Sequence, residues 1–378
     1  MWKTIFRITV LLLILYFTRP LWEKYTTDYI NLDFLQPVDA KVEQWTERAK
    51  TSEWPSQMWE SIKTNAEDVY NRIRGVDKKP VLEEVTAPST ETLPSTVDYE
   101  GALSLGIPHE TILDVLGEPK RTLLNEYQTL WHVYHEDYNR FTLIAYDQKN
   151  EIAGLYTNSP IALLSEPVQY GHSKEQVRRV YGKPLTEMTK GRTIFVLQEN
   201  EGLDVFQLED RYVYAFYDEH RNHTLTALLV VAQTLEKERQ SMYVSSSQSL
   251  RNSYEQLLFE LTNAVRVREG KSILRFHDAL ASTARKHSID MAKNDYFNHT
   301  NLQGESPFER MRKDRIHYTQ AGENLAYGQF SPIFAHEGLM NSYDHRMNTL
   351  TPKYTTAGIG VAFNDDEIPY FTQLFLKE

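Results

Sequence analysis

A sequence pattern in the middle of the chain occurs twice, and this duplication constrains the fold more than any other feature. Gly106 and Gly171 each begin a segment that runs through a short stretch of spaced apolar residues to Gly-x-Pro, ending at Pro119 and Pro184. Glycine followed by proline is typical of a helix C-terminus, so each copy is predicted to begin with one short helix. Two copies are too few for a solenoid, which needs three or more repeats. We therefore expect both copies to pack as one domain.

Each predicted helix is followed by runs rich in β-branched and aromatic residues, which favour strands. The first copy has LWHVYHE and FTLIAYD, and the second has TIFVLQE, LDVFQLE and YVYAFYD. These runs predict a duplicated α+β domain over residues 99–235.

One run in the first copy, WHVYHED, contains His132, His135 and Asp137, a set that could suggest a metal site. Side chains alternate between the two faces of a strand, so residues 132 and 135 are predicted to lie on opposite faces. We therefore interpret them as histidines at the rim of the sheet. No convergent polar site is predicted in residues 99–235.

Composition excludes several classes of function. The chain has 378 residues, enough for two folded domains, and a formal net charge of -11. A nucleic-acid-binding protein needs a basic surface to neutralise phosphates, so we expect no nucleic-acid partner. The chain contains no cysteine, which excludes disulfides, thiolate metal ligands and a cysteine nucleophile.

The N-terminal residues 1–25 predict export. Lys3 and Arg7 precede an apolar run over residues 8–17, which is short for a membrane span but suits the apolar part of a signal peptide. No small-x-small cleavage site follows, so we expect an uncleaved signal anchor that contacts the membrane through residues 4–18. The alternatives are a cleaved signal peptide, which would give a secreted protein, and a buried helix. The expected location is therefore extracytoplasmic and anchored to the cell membrane.

Residues 26–98 are predicted to separate the folded domains from the membrane. Apolar residues at helical spacing between positions 38 and 73 predict an amphipathic helical stalk, interrupted at Pro55. The stretch KKPVLEEVTAPSTETLPS then has the proline, threonine and glutamate content of an extended linker. A second linker, charged and then serine-rich, is expected at residues 236–252.

The remaining residues, 253–378, predict a separate domain of helices and strands. Helices are expected at residues 254–268 and 278–293, the second with Asp278 as its N-cap. The sequence SPFE at 306–309 has the form of a capping box. A further helix should follow Ser331.

Two strand-like runs at the end of the chain, Thr356–Phe363 and Tyr370–Lys377, should form an antiparallel pair. Helices followed by such a pair predict layers of helices around a sheet. Glu337 lies at helical spacing between Ile333 and Met340, which places an acidic group on an inward-facing surface. His287 also lies on an apolar helix face, where we expect a hydrogen-bonded core histidine.

Seven short blocks follow one another in residues 253–378: LTNAVRVREG, SIDMAKNDYFNHT, SPFER, GENLAYG, MNSYDHR, AGIGVAF and YFTQLF. Their order resembles the bacterial branch of the CAP superfamily, which includes the cysteine-rich secretory proteins, venom antigens and plant pathogenesis-related proteins. The upstream duplication resembles the CAP-associated N-terminal domain found before CAP domains in Gram-positive bacilli. For residues 253–378 the resemblance implies an α-β-α sandwich of CAP type, within a chain of the α+β class.

The resemblance also implies a central cleft. By position, His299 in FNHT and Glu323 in GENLA correspond to cleft residues, and His345 in SYDHR matches the histidine typical of the bacterial branch. Tyr370 replaces the second histidine of the family, so activities that require the full set of cleft residues do not carry over. Glu337 is a candidate for a second acid, on the inward-face argument alone.

Such a set of side chains allows three kinds of chemistry. His299 and His345 are candidate ligands for Zn²⁺ or another divalent cation. Without a metal, Glu323 beside a histidine can raise the imidazole pKa and form a proton-relay pair. Alternatively, the three side chains form a polar network that only stabilises the loops around the cleft. No cofactor follows from the sequence with certainty.

Three functions remain open at this point. The first is an extracytoplasmic binding module with a lipid-like, cell-wall or protein ligand. The second is a metal-dependent hydrolase or protease that uses His299, Glu323 and His345, although the sequence contains no HExxH, GxSxG or paired DxD pattern. The third is a structural envelope protein, in which the duplicated domain contacts the CAP domain and occludes its cleft.

Overall fold

The structure, a computed structural model, describes residues 103–160, 164–197 and 201–378. These residues belong to one compact unit, Thr96–Glu378. The predicted membrane anchor (1–25) and the predicted stalk and linker (26–98) lie outside the described residues. Within the described part of the chain, no helix combines the length and the apolar character that crossing a bilayer requires.

Both sequence copies form a short helix followed by strands. The first copy consists of α1 (His109–Leu116), β1 (Arg121–Leu124), β2 (Leu130–Glu136), β3 (Asn139–Tyr146) and β4 (Ile152–Thr157). The second consists of α2 (Lys174–Tyr181), β5 (Glu187–Lys190), β6 (Thr193–Val196), β7 (Leu203–Gln207), β8 (Arg211–Asp218) and β9 (Thr224–Ala232). Both helices end at the glycine of Gly-x-Pro, Gly117 and Gly182, which have positive φ angles of 71° and 87°. The predicted helix ends are confirmed.

One antiparallel sheet unites the two copies. Its strand order is β1-β2-β3-β4-β9-β8-β7, and β5 and β6 form a separate hairpin. Each copy contributes a three-stranded meander, β2-β3-β4 or β7-β8-β9. The last strands of the two meanders pair from Gly154 opposite Val231 to Thr157 opposite Leu228. The copies therefore share a single sheet.

Different parts of the chain cover the two faces of this seven-stranded sheet. One face packs against α1 and α2, which bury Ile112 and Val177 in it. The opposite face buries Trp131 and packs against Leu257 and Leu261 of the C-terminal domain. Because strand side chains alternate between faces, one sheet takes part in two hydrophobic cores.

The C-terminal domain contains five helices and four strands among its described residues. They are α4 (Gln248–Arg268), β10 (Arg275–Phe276), α5 (Asp278–Asn294), α6 (Pro307–Lys313), β11 (Gln320–Tyr327), α7 (Pro332–Asn341), α8 (Tyr343–Leu350), β12 (Thr356–Phe363) and β13 (Pro369–Lys377). The strand order is β10-β12-β13-β11, with β10 parallel to β12 and the other pairs antiparallel. The predicted capping box at Ser306 and Glu309 is confirmed, as is the terminal strand pair.

Helices lie on both faces of this four-stranded sheet because β12 alternates between two kinds of residue. Ile359 and Val361 pack into a core that includes Leu258 of α4. Gly358 and Gly360 face α5, and a Cβ atom at either position would collide with the backbone of that helix. The glycines thus let α5 lie directly on the sheet, opposite α4.

Two predicted boundaries differ from the structure. Residues 236–252 are not a simple connector, because they contain the end of α3 (Gln233–Glu238) and the beginning of α4. The helix α4 begins at Gln248, since the Ser247 side chain accepts a hydrogen bond from the Leu250 amide and acts as the N-cap. The N-cap of α5 is His277, whose Nδ1 accepts a hydrogen bond from the Leu280 amide, rather than Asp278.

Candidate functional site

Glu323 forms the centre of a charged cluster in the C-terminal domain. It lies on β11, an edge strand of the four-stranded sheet, and its side chain is only 2% exposed. One carboxylate oxygen lies 2.9 Å from Nδ1 of His299, and the other lies 2.6 Å from Nη2 of Arg310. A buried carboxylate is stable only when such partners replace its lost hydration. The structure therefore brings His299 and Glu323 together and adds an arginine.

Arg310 was not singled out from the sequence. It lies on α6, which begins at the Ser306 capping box, and it also donates to the carbonyl oxygens of His299 and Glu305, at 2.7 and 3.0 Å. One arginine thus fixes the carboxylate and the loop that carries the histidine. The available signal was its position three residues after Pro307 and beside Met311, on the buried side of a short helix. An arginine on such a face requires an acidic partner.

His299 lies above this pair and faces solvent. Its side chain is 51% exposed, while its Nδ1 contacts the buried carboxylate of Glu323. An ionised carboxylate only accepts hydrogen bonds, so Nδ1 must carry the proton. In the neutral imidazole the lone pair is then on Nε2. The site therefore holds one tautomer of His299 with a hydrogen-bond acceptor available to a ligand.

His345, at the start of α8, completes the set. Burial, and then the neighbouring His299, lowers the pKa of His345, while Asp344 opposes this shift. Its carbonyl oxygen accepts hydrogen bonds from Nδ2 of Asn324 at 3.0 Å and from Oγ1 of Thr349 at 2.9 Å. The lowered pKa keeps His345 neutral at physiological pH, so it can donate or accept one hydrogen bond.

The approach of α8 to β11 depends on the residues around Glu323. A side chain at Gly322 would collide with Tyr354 and Asn348. Asn348 donates from Nδ2 to the Glu323 carbonyl oxygen and to Oδ1 of Asn324, at 3.2 and 3.0 Å. The side chains of Asn324 and Asn348 therefore join α8 to β11, which positions His345.

An aromatic surface continues from the charged cluster. Tyr370 is buried, with its ring centroid 4.4 Å from that of Tyr327, and its hydroxyl donates to Oδ1 of Asp295 at 3.4 Å. Tyr327 in turn lies 5.8 Å from Phe297, and these two side chains are partly exposed. Because Phe297 precedes His299 by two residues, this aromatic surface borders the charged cluster.

Comparison with known proteins divides the chain in the same way. Residues 105–242 match the family described as CAP-associated N-terminal, and residues 259–375 match the cysteine-rich secretory protein family, CAP. The chain joins a CAP-associated N-terminal domain to a CAP domain. This is the pair of domains that the sequence blocks and the duplication indicated.

Two relatives come from Bacillus subtilis (strain 168), and both are described as uncharacterized. The membrane protein YlbC is 26% identical over 296 residues, which cover 73% of this chain and 84% of YlbC. The protein YkwD is 40% identical over 116 residues, which cover 31% of this chain and 45% of YkwD.

Two solved structures share the fold of both domains. An extracellular protein containing an SCP domain from Bacillus anthracis has a TM-score of 0.64 and 24% identity, covering 76% of this chain and 99% of that chain. A cysteine-rich secretory protein from Staphylococcus aureus has a TM-score of 0.57 and 16% identity, covering 72% of this chain and 94% of that chain. The mixed α+β fold is therefore that of bacterial SCP-domain proteins.

The structure places Glu337 away from the His299 side of the CAP domain. It lies on α7, and its carboxylate accepts a hydrogen bond of 2.7 Å from the hydroxyl of Tyr156 in the CAP-associated domain. Burial raises the pKa of Glu337. The apolar face of α7 that carries Glu337 is therefore turned towards the neighbouring domain. The sequence of the CAP domain alone does not predict this partner.

Metal ligation by His299 and His345 stays a prediction. Within residues 103–160, 164–197 and 201–378, no group of three or more His, Asp or Glu side chains is arranged to hold one. Arg310 already supplies a positive charge to Glu323, and the Nδ1 of His299 is directed at the same carboxylate. The guanidinium would repel a divalent cation bound directly to Glu323, whereas Nε2 of His299 is free of this carboxylate.

The two domains also contact each other through charged side chains. Arg346 of the CAP domain lies 2.9 Å from Asp218, and both side chains are buried. Arg121 lies 2.9 Å from Glu260 of α4. The partners of His299 itself, Glu323 and Arg310, belong to the CAP domain.

Proposed function

We propose that this protein is a binding module whose CAP domain presents His299 to a ligand outside the cytoplasm. The observation that carries the proposal is the half-exposed imidazole held in one tautomer by a buried Glu323–Arg310 pair. A polar network that served stability alone would gain nothing from leaving the acceptor nitrogen open to solvent. Pre-organised polar groups beside an apolar surface are typical of binding sites.

The ligand should offer a hydrogen-bond donor to His299 Nε2 and an apolar or ring surface to the aromatic side chains of Phe297 and Tyr327. Lipid-like molecules, cell-wall saccharides and protein segments all have this combination. Aromatic side chains exposed beside polar groups favour such mixed contacts.

An extracytoplasmic location is part of the proposal. It is supported by the apolar N-terminal run and by relatives described as a membrane protein and an extracellular protein. Protease added to intact cells should digest the folded domains of an anchored protein. Detection of the whole protein only after cell lysis would contradict this location.

Sedimentation of the purified chain with isolated cell walls and, separately, with lipid vesicles tests the binding function. The His299→Ala variant should lose about tenfold in apparent affinity, because the hydrogen bond from the ligand to Nε2 of His299 is removed. The matched control is His317→Ala, which removes an exposed histidine elsewhere in the same domain. Equal binding by both variants would refute the role of His299.

A hydrolase is the second candidate, because a histidine with Nδ1 held by a carboxylate is also suited to act as a general base. Such an enzyme would use His299 without a metal ion, so chelators should not reduce hydrolysis of cell-wall or peptide substrates. Loss of activity in Glu323→Gln together with retained ligand binding would favour catalysis. If the ligand binds but is not hydrolysed, the result favours the binding module over the hydrolase.

A further inference from the structure

A second cluster of polar side chains lies in the CAP-associated domain, between α1 and the first meander. It consists of His109, His132, Tyr134 and Tyr146. The tyrosines are 6% and 9% exposed. Considering only the described residues, His109 Nε2 and His132 Nδ1 are buried without a hydrogen-bonding partner, and the hydroxyls of the two tyrosines lie beside each other. Buried polar atoms are rarely left unsatisfied, and several in one place indicate a bound water or ion.

The three rings at the centre of this cluster contact one another. The centroid of His109 lies 5.3 Å from that of His132 and 4.4 Å from that of Tyr146, and His132 lies 4.9 Å from Tyr146. The two imidazoles are therefore close enough to direct nitrogen atoms at one point. His135, the other histidine of this strand, faces α4 on the opposite side of the sheet, where its Nε2 lies 3.6 Å from Glu260.

The duplication provides an internal comparison. His109 and Lys174 are the first residues of α1 and α2. His132 pairs across the sheet with Ile144, as Asp204 pairs with Ala215. Tyr146 lies two residues after Ile144, and Tyr217 lies two residues after Ala215. The second copy therefore has Lys174, Asp204 and Tyr217 where the first has His109, His132 and Tyr146.

In the second copy these positions satisfy one another. The carboxylate of Asp204 receives two hydrogen bonds of 2.8 Å from Arg178 and one of 3.2 Å from the Tyr217 hydroxyl. Lys174 lies 3.7 Å from the same carboxylate. The same location thus contains an ion pair in the second copy and two imidazoles with unsatisfied nitrogen atoms in the first.

We propose that the His109–His132 cluster of the first copy binds a divalent transition-metal ion, with His109 Nε2 and His132 Nδ1 as ligands. The tyrosine hydroxyls lie beside the ion as neutral donors or hold a water bound to it. Imidazole nitrogen is a preferred ligand of Zn²⁺, Cu²⁺ and Ni²⁺. The ion takes the place that the Lys174–Asp204 pair occupies in the second copy.

Equilibrium dialysis of the full chain against Zn²⁺ tests the site. The wild-type chain should bind one ion at this site. The variant His132→Phe, which keeps an aromatic ring in the core, should lose this ion. The triple variant His109→Lys/Leu113→Arg/His132→Asp should also lose it, and this variant should stay folded because the second copy has Lys174, Arg178 and Asp204 at the same location. With Cu²⁺, the electron paramagnetic resonance spectrum should show coupling to two imidazole nitrogens.

The controls separate this site from the other histidines. His135→Phe, on the opposite face of the same strand, and His299→Ala, in the CAP domain, should each retain the ion. Binding of Zn²⁺ that is unchanged in the folded triple variant would overturn the proposal. So would the absence of bound Zn²⁺ in the wild-type chain, which would mean that water alone occupies the cluster.

Discussion

Two buried glutamates in this protein are held in similar ways but in different surroundings. Glu323 of the CAP domain contacts His299 and Arg310. Glu236, at the end of α3, contacts Lys190 and Arg239 and accepts a hydrogen bond of 2.9 Å from the Tyr127 hydroxyl. Every partner of Glu236 among the described residues is buried, whereas His299 is half exposed.

The difference shows how a site can be told from a structural cluster when both are charged. Around Glu236 the charges satisfy one another, and Arg239 stacks 4.3 Å from the ring of Phe330, which joins the two domains. Around Glu323 the network leaves the imidazole open on its solvent side. Charge and burial alone therefore do not identify a site, but an open acceptor at the end of a buried network does.

The largest expected effect is at the structural cluster. Glu236→Ala leaves Lys190 and Arg239 as buried cations without their carboxylate, so the free energy of unfolding should fall by about 3–5 kcal/mol. Chemical denaturation of the full chain measures this. The control is Arg275→Ala, which breaks an exposed pair with Glu378 and should cost less than about 1 kcal/mol. Similar losses in both variants would contradict the comparison.

Glu126, also at the junction of the domains, is a third buried glutamate, and its effect on stability should depend on pH. Burial raises the pKa of Glu126 from 4.5 to about 7, against the opposing influence of Arg239, Trp131 and Ser331. The folded state therefore prefers the protonated carboxyl. The stability that the protonated carboxyl of Glu126 provides is fully present below the pKa that this residue has in the unfolded chain. It is lost as the pH rises through the folded-state pKa of about 7.

Glu126→Gln should remove this dependence, because the amide is neutral at every pH. The variant should be more stable than the wild type by about 3 kcal/mol near pH 8 and equal to it near pH 4. Denaturation curves at both pH values measure the difference. A constant offset between the two proteins would show that Glu126 does not titrate in this range.

A smaller effect is expected at the cleft carboxylate. Glu323→Gln retains the shape of the side chain but leaves the buried guanidinium of Arg310 without a counter-ion, so stability should fall by about 1–3 kcal/mol. Ligand binding should fall as well, because the tautomer of His299 is no longer fixed. Unchanged binding in this variant would mean that the network does not prepare the imidazole.

The smallest effect on stability is expected for His299→Ala. A half-exposed side chain with one hydrogen bond should contribute less than about 1 kcal/mol, measured by the same denaturation experiment. The combination of nearly unchanged stability with lost ligand binding distinguishes a site from a structural residue. A loss comparable to that of Glu236→Ala would place His299 in the structural class instead.

Local signals in the sequence predicted much of the fold. The capping box at Ser306, the helix stops at Gly117 and Gly182 and the terminal strands each depend on neighbouring residues, and the structure has all of them. By contrast β9, an interior strand of the seven-stranded sheet (Thr224–Ala232), was not predicted, although it is apolar almost throughout. A strand buried on both faces lacks the alternation that marks a strand in sequence.

The candidate site was predictable only in part. Family resemblance gave His299, Glu323 and His345, because their positions are fixed by blocks of sequence. The bond between Glu323 and Arg310 joins residues 13 positions apart on different elements, and no periodicity relates them. Glu337 was assigned correctly to an inward face, but the partner of that face is Tyr156 of the other domain. Long-range partners of this kind require the fold itself.

The helix α4 has one further consequence for this protein. Leu257 and Leu261 belong to the core of the seven-stranded sheet, while Tyr254 and Leu258 belong to the core of the four-stranded sheet. A helix shared by two cores couples their melting, so the two domains should unfold in a single cooperative transition. A CAP domain excised at residue 248 would carry an apolar stripe with nothing to cover it, and would be prone to self-association.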